Sequence, residues 1–134
     1  MTKQEFRQLV QERLVFLDGA TGSNLQKAGM PTGVCPEQWI LENPDCFVQL
    51  QKQYLHSGTD ILYAPTFSAN RIKLEEYGLA QNLREMNLRL VELSKRAVGE
   101  YMVEERNAEC IPLIAGDLTM TGKLLVQIGR ASCR

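Results

Sequence analysis

Asp18 stands at the end of an apolar run, Leu14-Val15-Phe16-Leu17, and opens the turn Gly19-Ala20-Thr21-Gly22-Ser23-Asn24. A short apolar run of this kind reads as a buried strand of a parallel sheet. The C-terminal end of such a strand is where ligands gather in α/β folds. With no bulky side chains nearby, the backbone N–H groups around Gly19 and Gly22 can form a nest for an anion. A carboxylate facing an anion nest holds both the ammonium and the carboxylate of an amino acid. The same residues also suit a plainer purpose. Gly19 and Gly22 permit positive φ, and Ser23 or Asn24 caps a helix. The spacing Gly19-x-x-Gly22 fits neither the dinucleotide fingerprint nor the phosphate loop.

The metal-ligating residue types are sparse. The four cysteines are Cys35, Cys46, Cys110 and Cys133, and no two form a C-x-x-C pair. A zinc ribbon is therefore not expected, and neither is any other metal site. Cys46 and Cys110 read as small apolar fillers. His56, the only histidine, falls in the last turn of a helix, where an imidazole complements the helix C-terminus.

Composition narrows the classes further. A chain of 134 residues, 44% hydrophobic and 23% charged, suits one globular domain. A formal net charge of −1 gives no electrostatic case for nucleic acid or an anionic membrane. No apolar run approaches transmembrane length. The N-terminal Met1-Thr2-Lys3-Gln4-Glu5-Phe6-Arg7 lacks the apolar core of a secretory signal, so the expected location is the cytoplasm and no disulfide framework is expected.

The elements that must position Asp18 follow from periodicity. Thr2 and Glu5 make a capping box for a leading helix within residues 1–13, with Phe6, Leu9 and Val10 at helical spacing. The strand Leu14–Leu17 follows, then a loop over Gly29–Pro36. Asn43 and Pro44 open a helix that buries Phe47, Leu50, Tyr54 and Leu55 and stops at Gly58. Asp60–Ala64 reads as a second strand, ended by Pro65. Ser68 or Asn70 caps the next helix, which carries Ile72, Leu74 and Tyr77. Leu83, Met86, Leu90, Leu93, Ala97 and Tyr101 mark a long amphipathic helix. A third strand spans Ile111–Ala115. Helices alternating with three strands argue for a parallel sheet, with Asp18, Thr66 and Asp117 on one rim. Past Gly122, Lys123–Ile128 is apolar, and Gly129–Arg134 has no periodicity.

Taken in order, these segments resemble the homocysteine S-methyltransferase family. The resemblance rests on Val15–Gln26, on Cys35-Pro36-Glu37-Gln38-Trp39 with Asn43-Pro44-Asp45, and on Tyr54–Leu62. It continues through Thr66–Leu74, Tyr77-Gly78-Leu79, and Ala115-Gly116-Asp117 with Thr121-Gly122. Length and motif style look most like the homocysteine-binding module of the family's cobalamin-dependent members. The resemblance implies a (βα)8 barrel that methylates the homocysteine thiol on zinc, which lowers the thiol pKa. In the cobalamin-dependent members the methyl comes from methylcobalamin, recharged by 5-methyltetrahydrofolate on other modules. Carried over residue by residue, it implies that Asp18, Gly19, Thr21 and Gly22 hold the amino-acid end of homocysteine, with Thr66 and Asn70 at the rim.

This sequence also departs from the family pattern. Ala64-Pro65-Thr66-Phe67 stands where Thr-Asn-Thr-Phe is usual, and Thr119-Met120-Thr121 where Gly-Pro-Thr is usual. The family's zinc cysteines, two of them adjacent, have no counterpart here, and residues 129–134 do not resemble it. Residues 1–134 thus read as a single partial homocysteine-binding domain, the first three βα units of an incomplete barrel. The expectation is a fragment, inactive alone, whose partners are the missing barrel half or the folate and cobalamin modules. The alternatives are a small nucleotide-binding α/β protein and a non-catalytic interaction protein with an open sheet edge.

Overall fold

In the computed structural model, which describes residues 1–105, 111–118 and 121–122, the sheet is small and the helical layer is large. Helix α1 (Lys3–Glu12) starts with the capping box: the Thr2 Oγ1 accepts from the Glu5 N–H at 3.2 Å, and the Thr2 N–H donates to Glu5 Oε2 at 2.6 Å. Two short helices follow, α2 (Gly22–Lys27) and α3 (Pro36–Glu42), then α4 (Pro44–His56). Gly58, at φ 94°, lets the chain leave α4 and turn back toward strand β1 (Ile61–Ala64). Helix α5 (Arg71–Glu76), a 3-10 turn (Ala80–Asn82) and α6 (Leu83–Glu104) lead to strand β2 (Leu113–Gly116).

The two strands pair in parallel, Ile61 opposite Leu113 and Ala64 opposite Gly116. Pro112 lacks an N–H, and the ladder begins at the residue after it, where the Leu113 N–H donates to the Asp60 carbonyl at 2.8 Å. The expected first strand, Leu14–Leu17, is corrected. It contributes a single parallel bridge, Leu17 to Ile61, rather than a strand. The Phe16 carbonyl accepts from Asp60 and Ile61, and the Asp18 N–H donates to Ile61. Those bonds all lie on one side. Among the described residues no strand pairs on the other side, and Leu14 and Phe16 stay 79% and 59% exposed. A strand at an edge with one partner is held only as far as that partner reaches.

The loop expected over Gly29–Pro36 ends sooner than its composition implies. Pro36 is the first residue of α3, where its fixed φ suits a helix and its missing N–H is not needed. Asn43 does precede α4, but its side chain donates back to the Trp39 carbonyl at 2.9 Å instead of capping. Asn70 caps α5 by accepting from the Lys73 N–H at 3.0 Å.

Three apolar clusters hold the layers together. Leu25, Ile40, Phe47 and Leu90 join α2, α3, α4 and α6. Leu55, Leu62 and Val98 seat β1 between α4 and α6. Cys35, Leu74 and Met86 close the α5 side. Ion pairs tie α4 to the C-terminal half of α6: Asp45 to Arg96 at 2.6 Å and Lys52 to Glu104 at 2.6 Å. His56, at the end of α4, adds Glu104 and Glu105 at 3.3 Å each and an edge contact with the Tyr101 ring. Cys110, Cys133, Thr119, Met120 and the segments 123–128 and 129–134 lie outside the described residues.

Candidate functional site

The strand ends converge where a parallel sheet presents its ligand-binding rim. A cleft of about 230 Å³ opens there, walled by Asp18, Gly19, Thr21, Gly22, Tyr63, Pro65, Phe67 and Asp117. Asp18 reaches it because its own N–H is held by the Ile61 carbonyl at 3.1 Å. Its Oδ2 accepts from the Tyr63 N–H at 3.1 Å. Its Oδ1 is buried and has no hydrogen-bond partner among the described residues. Burial pushes the Asp18 carboxyl up to about 6, against the downward pull of the Tyr63 and Asp18 backbone N–H groups. A buried acceptor lacking a donor is costly, and a ligand that donates to it removes that cost.

The turn after Asp18 is fixed from a distance. Tyr54, on α4, donates its hydroxyl to the Ala20 carbonyl at 3.0 Å, and Asn24 donates to the same carbonyl at 2.7 Å and to the Tyr54 oxygen at 2.9 Å. Gly19 is a glycine because of this contact, not because of its φ: a Cβ there would stand 3.0 Å from the Tyr54 ring. Neither Gly19 nor Gly22 has a positive φ, which corrects that expectation. Thr21, not Ser23 or Asn24, occupies the position before α2. A Cβ on Gly22 would meet nothing within 4 Å, so the space above it is open.

Gly19→Ala is accordingly expected to push the Tyr54 ring aside and loosen the turn, destabilising the fold by about 1–2 kcal/mol as overpacking does. Thermal unfolding reads the loss. Tyr54→Phe in the same background should restore only part of it, because the ring carbon and the hydroxyl oxygen both stand 3.0 Å from the added Cβ. Full recovery in the double variant would show the hydroxyl, not the ring, to be the obstacle.

Thr66 and Asn70 do not line the cleft. The Thr66 hydroxyl donates to the Asp117 carbonyl at 2.9 Å and accepts from the Asp117 N–H at 3.1 Å, joining the ends of β1 and β2. Asn70 stands at the start of α5. Sequence reasoning missed Tyr54 and Tyr63. Neither carries a local signal, since both act through contacts more than thirty residues away from the turn. It also missed Glu37, which is fully buried beneath the loop that carries Phe67. There Glu37 Oε1 accepts from the Ser68 N–H at 3.0 Å and the Ser68 hydroxyl at 2.6 Å. A larger groove, about 570 Å³, runs between α2 and α4 past Cys46, Leu50 and Tyr54, away from the strand ends.

The described residues do not suit a zinc centre. No group of three His, Cys, Asp or Glu side chains converges among them. Cys35 is buried, burial pushes its thiol up, and it donates to Glu37 Oε2 at 3.5 Å. That environment favours a thiol over the thiolate that binds metal. Cys46 is part-buried against the α2–α4 cluster.

Parallel strands under a helical layer, with an acid and glycines at the strand ends, define an α/β protein. Residues 15–132 match the model of the homocysteine S-methyltransferase family, and the chain belongs to that family. Methionine synthase of Mycobacterium leprae is 27% identical over 95 residues, covering 66% of this chain and 8% of that protein. Methionine synthase of Mycobacterium tuberculosis is 26% identical over 104 residues, covering 73% and 9%. The crystal structure of the homocysteine methyltransferase MmuM from Escherichia coli, in its metallated form, superposes with a TM-score of 0.69 at 22% identity, over 87% of this chain and 42% of that one. Its oxidized form gives 0.72 at 23% identity, over 87% and 41%. These barrels share the fold of this chain. The chain spans under a tenth of the curated relatives it matches and about two-fifths of the solved structures.

Proposed function

We propose that this chain forms the opening of a homocysteine S-methyltransferase barrel, its first three βα units, and that the Asp18 turn cradles the amino-acid end of homocysteine. The observation that carries this reading is the Asp18 carboxylate. One oxygen is anchored on the Tyr63 N–H and the other is buried without a donor among the described residues, at the edge of a cleft floored by glycine. An α-ammonium supplies the missing donor. The open space over Gly22 admits the α-carboxylate to the backbone of the turn. Thr21 and Asp117 flank the same cleft, and Phe67 and Pro65 give it an apolar side for the thioether-forming arm.

Residues 1–134 act in this reading as one partial domain, with residues 1–13 as its leading helix and 129–134 as a tail outside the family pattern. The remaining strands complete the cleft and cover the apolar flank at Leu14, Phe16 and Leu17. Zinc activates the thiol in the family, and methylcobalamin with 5-methyltetrahydrofolate delivers the methyl in its cobalamin-dependent members. The described residues do not suit the zinc, so their share in this reading is binding and orientation, and the chain alone neither holds homocysteine nor methylates it. The cytoplasm is the compartment that suits this activity; among the described residues no helix is long and apolar enough to cross a membrane.

The reading predicts how binding responds to pH. Without ligand, the raised Asp18 carboxyl favours the fold at low pH, and that contribution fades as pH rises from about 4 to about 6. The ammonium of homocysteine reverses the preference, because it pairs only with the ionised form. In a complete barrel carrying this segment, ionisation of Asp18 should therefore add a rise in homocysteine affinity from acid toward neutral pH, on top of the rise from thiol deprotonation, and Asp18→Ala should remove it. Calorimetric titration from pH 4.5 to 7.5 of the parent and the Asp18→Ala variant tests this, and pH profiles of the same shape would remove Asp18 from the amine site.

A further inference from the structure

Asp60 lies at the opposite end of the sheet from the cleft, yet its carboxylate reaches the chain that carries Asp18. Its Oδ2 accepts from the Phe16 N–H at 2.8 Å, and its Oδ1 pairs with Arg13 at 2.8 Å. Arg13 is the residue that ends α1, so the carboxylate also fastens the leading helix to the sheet. The backbone beside it is thinly held. Phe16 and Asp18 reach Asp60 and Ile61 through three backbone bonds, and among the described residues Leu17 forms the only bridge on this edge. Phe16 and Asp18 are two residues apart and so project from the same side of an extended chain. A slip of one residue would turn the Asp18 side chain to the opposite face.

We infer that Asp60, itself held by Arg13, is a positioning residue for Asp18, fixing the register of Phe16–Asp18 against β1 and thereby the depth at which the Asp18 carboxylate meets the cleft. The inference rests on the reading of Asp18 as the amine acceptor for its consequence, but not for its geometry. Bidentate use of one carboxylate, on a backbone N–H and on a guanidinium, supplies two charge-assisted bonds where the ladder supplies few. Arg13 holds the Asp60 carboxyl below its ordinary range, and the Phe16 N–H adds to this, so the clamp stays ionised over the pH span in which Asp18 titrates. The exposed Tyr63 side chain and Asp117, just past the end of β2 across the cleft, leave Asp18 no polar side chain bonded to it among the described residues.

The test uses the 134-residue chain, with Asp60→Ala, Asp60→Asn and Arg13→Ala. Two signals are read by NMR: the titration midpoint of the Asp18 carboxyl, and the hydrogen exchange of the Asp18 and Tyr63 amides. In Asp60→Ala the Asp18 midpoint should fall from about 6 toward the ordinary carboxylate range as burial is lost. The Asp18 and Tyr63 amides should exchange at least roughly tenfold faster while amides of α6 around Leu90 keep their rates, the mark of a local opening. Asp60→Asn keeps an acceptor for the Phe16 N–H and should recover most of both signals. Arg13→Ala should give the Asp60→Ala pattern at smaller amplitude, and it decides the matter if Asp60→Ala does not fold. An unmoved midpoint, or all amides accelerating by one common factor, overturns the inference. If the local pattern holds but Asp18→Ala leaves homocysteine affinity intact in a complete barrel, the clamp stands and the site reading falls.

Discussion

Asp18→Ala, in a complete barrel carrying this segment, should weaken homocysteine binding by about 10- to 100-fold, the range expected from losing a charge-assisted hydrogen bond of roughly 1.5–3 kcal/mol. Two features of the site set the size. The Oδ1 atom is buried and lacks a donor, so an ammonium there gains a bond without displacing another described one. The Oδ2 atom is already fixed by the Tyr63 N–H, so little ordering of the side chain remains to be done on binding. Asp18→Asn separates charge from shape. It keeps an oxygen for Tyr63 but presents no carboxylate to the amine, and should lose nearly as much affinity as alanine. Titration calorimetry at pH 7 measures both. An unchanged dissociation constant in either variant would mean that the amine is held elsewhere.

Glu37→Ala should destabilise the fold by about 2–4 kcal/mol, since a buried group with buried partners is removed and its partners are left without an acceptor. Glu37 is wholly buried, and one of its oxygens serves both the N–H and the hydroxyl of Ser68. The other faces the Cys35 thiol. These bonds join α3 to the loop after β1, so the effect should extend to Phe67 and the cleft wall. Glu37→Gln preserves the acceptor for Ser68 and should lose less than half as much. Urea unfolding followed by circular dichroism gives both values. A loss below about 1 kcal/mol for Glu37→Ala would show that water or the neighbouring chain satisfies Ser68 instead.

Much of this architecture is legible in the sequence where the determinants are local. The Thr2–Glu5 box, Pro44 at the start of α4, the glycine after it, and the spacing of Met86, Leu90 and Ala97 each act within a few residues. The strand at Ile61–Ala64 is short, apolar and closed by Pro65, and it forms within a residue of its expected start. Leu14–Leu17 has the same composition but reaches only one bridge, because a strand needs neighbours and composition does not say how many are present. The short helix α3 escapes notice for another reason. It follows directly on the glycine- and proline-dense loop 29–36, and tertiary contacts through Ile40 hold it, not propensity.

At the site, Asp18 and its glycines could be singled out because an acid and small residues at a strand end have a chemical meaning on their own. Tyr54 could not, since its hydroxyl meets the Ala20 carbonyl only after α4 has packed. Thr66 and Asn70 show the reverse case. Both are polar residues near the rim, and both make bonds that shape the backbone: one between strand ends, one at a helix start.

The pairing of α4 with α6 bears on how such a chain is made. Asp45 meets Arg96 and Lys52 meets Glu104, so α4 runs in the same direction as α6 and is tied to its C-terminal half. A ribosome releases the chain N-terminus first, at roughly 5–20 residues per second, so α4 is out for several seconds before α6 follows. Once residue 104 has emerged, the apolar seam and its flanking ion pairs can close without β2. The nascent chain then carries two packed helices with β1 against them before β2 arrives to pair.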